Sequence, residues 1–455
     1  MKNLLLNTDS YKVGMFLQLP PETEYVYSYI ESRGGIHDQV MFFGLQTFIK
    51  QYLLTPITQN DIDVAEKIWL AHSGYFNRAG WEHILNEHGG LLPVVIRSVK
   101  EGLMIPTKNV ILTIENTDPA VPWLTTWIET ALLRAIWYPS TVATNSWFIK
   151  QTIKEYLIRS GDIAGLPFKY HDFSARGVSS SETSALGAAS HLVNFMGSDT
   201  ITGMMLLMED YHGKIDSTCL SIPASEHSTI TSWGRENEAK AYANMIEQFG
   251  KPGATFAVVS DSYDIYKACE IWGTTLKESI IKSGSTLVIR PDSGDPIIVL
   301  PKMFAILERH FGITRNSKGY KVLNNVRIIW GDGINAGTIG SILRVCVDMY
   351  GYSADNLAFG SGGALAQIVN RDDQKFAMKC SSAYVSGKWI DVFKDPITDK
   401  GKISKKGRVT LFKDAQRGYY TGVEDWKRDE LDAVFEDGKL LRDMTIEEIR
   451  ANSNL

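Results

Sequence analysis

The chain has 455 residues, 44% hydrophobic and 22% charged, which is too long for one ordinary domain and suits two. Lys and Arg total 47 against 52 Asp and Glu, and the net charge of −5 excludes a protein that mainly coats nucleic acid or an anionic membrane. A local basic pocket for one small polyanion stays open. In chain order, residues 1–7 hold a run of only three leucines, whereas a secretory core needs about seven or more apolar residues. Residues 25–30, 92–99 and 110–114 are rich in strand formers. Residues 123–158 read as one or two helices broken near Tyr138-Pro139-Ser140, and Glu129 and Arg134 interrupt the most apolar stretch, 123–144, so that no membrane span is expected. Cys219, Cys269, Cys346 and Cys380 form no CxxC pair, so neither a disulfide framework nor a cysteine zinc site is expected, and the reading is a soluble, cytoplasmic protein.

From about residue 255 the pattern changes. Short apolar runs end repeatedly in Asp, Gly and Ser, and each is followed by a helical pattern: 256–262 then 264–283, 286–294 then 297–310, 326–333 then 335–350, and 357–363 then 364–370. Buried parallel strands with helices between them read this way, so the fold class is α/β, a barrel or a doubly wound sheet. All four polar clusters fall at the carboxyl ends of their strands, the edge where such folds bind ligands. The last 75 or so residues return to strand-like runs, 388–393 and 407–412 among them.

The strand ends supply Asp261, Asp264, Asp292, Asp332 and Arg290, with the glycine loops Gly331-Asp-Gly333 and Gly360-Ser-Gly-Gly363. Open backbone N–H groups in such loops can surround a phosphate, and nearby carboxylates suit Mg²⁺ held partly through phosphate oxygens. Tight turns use the same residues. A second group is His171-Asp-Phe-Ser-Ala-Arg-Gly177, where Phe173 can stack on a planar ring and Arg176 can hold an anion or a carbonyl; spacing alone equally allows a core Phe and a surface ion pair. A third is Glu226-His227, an imidazole beside a carboxylate and a candidate acid, base or phosphate acceptor, although a lone His also serves structure alone. The other histidines form no HxxH or HExxH pattern, and no zinc is expected. Arg371, Lys379, Lys394, Lys402, Lys405 and Lys406 allow a positive wall, with Lys405 and Lys406 read as a solvated face.

Taken together, Thr8-Asp-Ser-Tyr-Lys12, Glu115-Asn-Thr-Asp-Pro119, His171-Asp-Phe173, Arg176-Gly-Val-Ser-Ser180, Glu226-His-Ser-Thr229, Val259-Ser-Asp-Ser-Tyr-Asp264, Arg290-Pro-Asp-Ser-Gly294, Gly331-Asp-Gly333 and Phe359-Gly-Ser-Gly-Gly363 closely resemble the nicotinamide phosphoribosyltransferases, a branch of the type II phosphoribosyltransferases. The resemblance covers nearly the whole chain in the family's order. It implies an irregular α/β barrel (1–28 and 161–375) with a β-rich companion domain (29–160 and 376–455), and a homodimer with shared active sites. The implied reaction joins nicotinamide to 5-phosphoribosyl 1-diphosphate, with Mg²⁺ and with ATP as a stimulating co-substrate, in NAD salvage.

Residue by residue, Phe173 matches the aromatic on one face of nicotinamide and Tyr11 of a second subunit the other, with Asp9 beside it. Asp199 matches the carboxylate that accepts the carboxamide N–H, and Arg176 the contact to its oxygen. Asp292 and Arg290 match ribose and phosphate contacts; Gly331, Asp332, Gly333, Gly362 and Gly363 match the 5-phosphate cradle. Arg33, Arg371, Lys379, Lys394 and Lys402 match the diphosphate wall, His227 the histidine that ATP phosphorylates, and Asp261 its partner. One departure is Ala175, where the family carries Tyr. Three other readings stand beside this one: a nicotinate phosphoribosyltransferase, a non-catalytic binding protein on the same fold, and a generic barrel aldolase or isomerase.

Overall fold

The computed structural model describes residues 3–398, 402–423 and 429–454; Met1 and Lys2, part of the N-terminal reading above, lie outside them. The chain divides into two compact units, one of residues 145–205 and 214–368, the other of residues 1–144, 206–213 and 369–455. Among the described residues no helix is long and apolar enough to cross a membrane.

The first unit is built on six parallel strands in the order Gly197–Ser198, Tyr170–Asp172, Leu357–Ser361, Val326–Trp330, Thr286–Arg290, Thr255–Val259. The segment between the two edges closes it: Leu220 bridges Gly197 and Ala224 bridges Ala257, both in parallel sense. The sheet is therefore an irregular barrel with one frayed stave. Strand period then sorts the side chains. Ala257, Val288 and Ile329 pack inside with Ala358, Ile222 and Phe173, while Phe256, Leu287, Ile328 and Phe359 are buried in alternating register. Two residues beyond the inward Val288, Ile329 and Ala358, the same face carries Arg290, Gly331 and Gly360, at the carboxyl end of the strands.

Helices return the chain between strands, as the pattern anticipates, with two refinements. The stretch 264–283 is two helices, Ile265–Gly273 and Lys277–Ser283, and the helix Ala336–Leu343 continues as a wider, six-residue π-helical winding over Arg344–Met349. Asp264, Asp295 and Asn335 cap the helices that follow three of the strands. Asp264 Oδ1 thereby accepts from the Tyr266 and Lys267 N–H groups.

The second unit holds a seven-stranded sheet with the order Lys388–Asp391, Phe376–Val385, Thr23–Ser32, Val110–Asn116, Val94–Ser98, Asp432–Glu436, Lys439–Leu440. Three strands from the N-terminal part of the chain lie side by side at its centre and strands from the C-terminal part flank them on both sides, and the described pairings are antiparallel. The first 28 residues belong with this unit rather than with the barrel. Leu4, Leu5 and Val13 enter its core, and Trp69 Nε1 donates to the Leu5 carbonyl at 2.8 Å.

The expected break at Pro139 does not occur, because Leu124–Ser160 is one helix. Gly44, at φ +104°, presses its backbone against that position, where a Cβ would lie 2.5 Å from the Pro139 ring and 2.9 Å from the Ala135 carbonyl oxygen. That carbonyl is the one a proline leaves without its helical donor. Packing against it keeps the helix continuous where propensity alone predicts an end.

Candidate active site

The residues singled out in the barrel unit converge on one mouth. Phe173 leaves the strand Tyr170–Asp172 and donates its N–H to the Ser361 carbonyl at 2.8 Å, which fixes its ring across Gly360 and Gly331. A Cβ on Gly360 would lie 1.9 Å from Phe173 Cε2, and one on Gly331 would lie 3.8 Å from the same atom. Glycine at 360 is what gives the ring its seat. The opposite mouth residue, Asp292, has Oδ1 3.3 Å from that Gly331 position, and its Oδ2 accepts from Arg290 Nη2 at 2.7 Å. The Arg290 Nε is buried and has no protein partner among the described residues.

The loop carrying Phe173 is set by a carboxylate the sequence reading left without a role. Asp172 is buried, accepts from Ser174 N–H at 2.8 Å and from Ser198 Oγ at 2.8 Å. The Asp172 carbonyl in turn accepts from Asp199 N–H at 3.0 Å, so Asp199 stands one residue from the aromatic platform. Its carboxylate is exposed, with Oδ1 accepting from Ser221 Oγ at 2.6 Å. Burial lowers the pKa of His171, with the Phe168 carbonyl bond working against it, so the ring beneath Phe173 stays neutral near pH 7.

Arg176 lies in the short turn Ala175–Gly177 and is exposed. No described carboxylate pairs with it, so the surface ion-pair reading has nothing to support it, and Phe173 lines a mouth rather than a sealed core. Gly177 approaches the Gly363 amide, 3.3 Å from a Cβ position, so this turn and the glycine pair Gly362-Gly363 face each other. Gly333, at φ +64°, has open space where a side chain would be, and Asp332 beside it is exposed.

His227 begins a short helix after the bridging segment, and its Nε2 lies 3.0 Å from Asp261 Oδ1. The imidazole is 45% exposed and the carboxylate 6%, so the ring is reachable while its partner is held from within. The second Asp261 oxygen accepts from Ser293 Oγ at 2.5 Å. Ser293 belongs to the same loop as Asp292. A line of contacts thus runs from His227 through Asp261 to the loop that bears the Arg290–Asp292 pair.

The antiparallel unit carries the remaining expected residues. Lys379 pairs with Tyr29 across two strands. Burial lowers its pKa; Glu129 opposes this, and Arg33, Lys12 and Arg371 push the same way as burial. Those four cations are therefore near neighbours. Lys12 is buried against Glu129 at 2.6 Å, Arg33 reaches Glu31 at 3.3 Å, and Arg33 Nη2 is buried without a protein partner among the described residues. Arg371 is exposed, 3.4 Å from Asp372.

Lys394 and Lys402 are exposed. Lys405 is not a solvated residue as anticipated. It pairs with buried Glu31, and its N–H donates to Tyr29 Oη, while burial pushes the Tyr29 phenol up to about 12. Asp9 accepts from Thr130 Oγ1 at 2.6 Å, and Tyr11 is 64% exposed, with the Lys12 ammonium 5.2 Å from its ring centre.

Residues 168–439 match the nicotinate phosphoribosyltransferase (NAPRTase) family, a span that contains Phe173, Asp199, His227, Asp292 and both glycine loops. The chain belongs to the nicotinate phosphoribosyltransferase family. Residues 3–96 match a further description, the N-terminal domain of nicotinamide phosphoribosyltransferase. A nicotinamide phosphoribosyltransferase of Xanthomonas campestris is 53% identical over 100% of this chain and 98% of its own. One of Acinetobacter baylyi is 31% identical over 98% and 96%. Among solved structures, human nicotinic acid phosphoribosyltransferase superposes with a TM-score of 0.59 at 13% identity, covering 99% of this chain and 93% of its own. A Pyrococcus furiosus nicotinate-nucleotide pyrophosphorylase gives 0.63 at 16%, covering 100% and 97%. The fold is that of the type II phosphoribosyltransferases, and the chain is an enzyme of the pentosyltransferase class.

Three site residues were given no role by the sequence reading: Asp172, Ser221 and Ser293. Two of them, Asp172 and Ser293, are one position from a residue it names. Only the folded hydrogen bonds distinguish them from ordinary loop Ser and Asp.

Proposed function

We propose that this enzyme joins nicotinamide to 5-phosphoribosyl 1-diphosphate, giving nicotinamide mononucleotide and diphosphate for NAD salvage. The observation that carries the choice of nicotinamide is Asp199, an exposed carboxylate one residue from the Phe173 platform. A carboxylate accepts a carboxamide N–H and repels the carboxylate of nicotinate. The relatives named nicotinamide phosphoribosyltransferase over the full chain support the same reading.

Phe173 stacks on the pyridine ring and Arg176 takes the amide oxygen, which aligns N1 for attack. The N1 lone pair forms the bond to the anomeric carbon as the bond to diphosphate oxygen breaks, and positive charge gathers on the ribose. Asp292, turned by Arg290, faces the ribose hydroxyls. The amides around Gly331, Gly333, Gly362 and Gly363 suit the 5-phosphate, because no side chain blocks approach. The cations Arg33, Lys379 and Arg371 are assigned to diphosphate, and the unpartnered buried donor on Arg33 supports a role toward an anion. Lys394 and Lys402 are assigned with them on resemblance alone. The hard oxygen donors of Asp332 and Asp292 fit Mg²⁺ held largely through phosphate oxygens. Bound there, the ion supplies charge neutralisation to the leaving group.

His227 is proposed as the residue ATP phosphorylates. Asp261 engages Nε2, which leaves Nδ1 with its lone pair to take the γ-phosphoryl as ADP departs. The enzyme is proposed to act as a cytoplasmic homodimer in which Tyr11 and Asp9 serve the nicotinamide site of the partner subunit. The test is product formation from phosphoribosyl diphosphate, Mg²⁺ and nicotinamide, with and without ATP, for wild type and His227→Ala. The reading expects ATP to lower the apparent nicotinamide KM in wild type and not in the variant. An equal response to ATP in both would overturn the His227 assignment.

A further inference from the structure

Far from the barrel residues in sequence, the antiparallel unit gathers three side chains that no part of the reaction uses. His83 lies on the helix Arg78–Glu87, His88 directly follows that helix, and Asp118 lies just past the strand Val110–Asn116. His83 Nε2 is 2.7 Å from Asp118 Oδ2, and His88 Nε2 is 2.6 Å from the same oxygen. One carboxylate oxygen therefore faces two imidazole nitrogens. Among the described residues this is the one cluster of three such donors, with its ligand atoms within 4.8 Å of one another.

The surroundings fit a built site. Asp118 Oδ1 is already occupied by the Ala120 N–H at 2.8 Å, which fixes the carboxylate and turns Oδ2 toward the rings. The Asp118 carbonyl accepts from Asn116 Nδ2 at 2.8 Å. The His88 N–H closes the helix on the Ile84 carbonyl at 3.1 Å, so its ring is carried on ordered backbone. The two imidazoles stand at 64° to each other with centres 5.8 Å apart, so they converge on the oxygen and do not stack. The side chains are 34%, 27% and 17% exposed, open enough for an ion to enter and for water to complete its shell.

We propose that His83, His88 and Asp118 form a binding site for a borderline divalent transition-metal ion of the zinc class. Two imidazole nitrogens and one carboxylate oxygen are donors such ions prefer, whereas Mg²⁺ and Ca²⁺ want oxygen only. A tetrahedral ion with bonds of about 2.0–2.2 Å sets its ligand atoms about 3.4 Å apart, so each nitrogen–oxygen contact opens by less than about 1 Å. Bound to the ion through Nε2, each ring is neutral and carries its one hydrogen on Nδ1. The ion joins the end of a helix to the end of a strand, and the sequence hides this: His83 and His88 are five apart, and Asp118 lies thirty residues on.

The test uses the purified full chain with millimolar Mg²⁺ present, which saturates oxygen-only sites, and no phosphoribosyl diphosphate or diphosphate to chelate metal. Equilibrium dialysis against Zn²⁺ is expected to give one ion per chain, with affinity at least tenfold weaker in His83→Gln and in His88→Gln. Co²⁺ is expected to give visible ligand-field bands without a thiolate charge-transfer band, which distinguishes this site from the cysteines. Zn²⁺ at about a hundredfold over the wild-type Kd is expected to raise the folded-to-unfolded ratio about a hundredfold in wild type and about tenfold or less in either glutamine variant. No Zn²⁺ bound beyond background, equal binding by both glutamine variants, or a thiolate band would overturn the proposal and leave the trio as a hydrogen-bonded clasp.

Discussion

Gly360→Ala isolates the seat of the aromatic platform. The new methyl would lie 1.9, 2.4 and 2.8 Å from three atoms of the Phe173 ring, where ordinary contact begins at 3.4 Å. The strand is fixed on both sides, by Tyr170–Asp172 and by Val326–Trp330, so the ring edge must yield by about 1.5 Å. Overpacking of this kind costs about 1–3 kcal/mol of stability, small enough for the barrel to stay folded. The chemical cost is larger, because a misplacement of about 1 Å in a positioning group costs about a hundredfold in rate. Mononucleotide synthesis under Mg²⁺ is expected to lose about a hundredfold in kcat/KM, equivalent to about 2.7 kcal/mol. In a Phe173→Ala background the same glycine change is expected to cost less than about threefold, since nothing remains to displace. Gly360→Ala with wild-type kinetics, or an equal loss in both backgrounds, would refute the role given to the Phe173 ring.

Asp199→Ser is expected to reduce the nicotinamide-to-nicotinate ratio of kcat/KM at least about tenfold, measured with each substrate in turn. Ser293→Ala removes the hydroxyl that orients Asp261; basal synthesis is expected to persist while stimulation by ATP falls about threefold to tenfold, read as the split between KM and kcat. His191 is fully buried, and burial drives its pKa down to about 4 while the Asp172 charge opposes. The unfolded ring titrates at about 6.5, so the unfolded chain takes up the extra proton and stability falls as pH drops from about 6.5 toward 4. Unfolding midpoints across that window are expected to fall less steeply in His191→Gln, which is itself less stable at pH 7.5 because Ser146 and the Gly197 carbonyl lose their partner.

Much of the barrel was legible because its strands are buried on both faces. Continuous apolar runs such as 256–259 and 287–289 mark them, and the polar residue that ends each run falls on the ligand-binding edge. The glycine loops were legible for the same reason: they stand at the ends of those runs. What stayed hidden depends on contacts across the chain. Gly44 keeps the helix at Pro139 unbroken from almost a hundred residues away, Leu4 and Leu5 join a core the first strand pattern does not suggest, and Lys405 is drawn out of water by Glu31. Ser221 and Ser293 look like loop serines until the fold sets each against a carboxylate. Periodicity reports which face is buried; it does not report which distant residue fills it.

The central claim is that this barrel mouth selects nicotinamide through Asp199. A single competition tests it: equal nicotinamide and nicotinate, limiting phosphoribosyl diphosphate, Mg²⁺ and ATP, with the two mononucleotides resolved by mass. The account predicts that nicotinamide mononucleotide dominates and that an equal amount of diphosphate is released. Dominance of nicotinic acid mononucleotide, or neither product from active-fold protein, would contradict it.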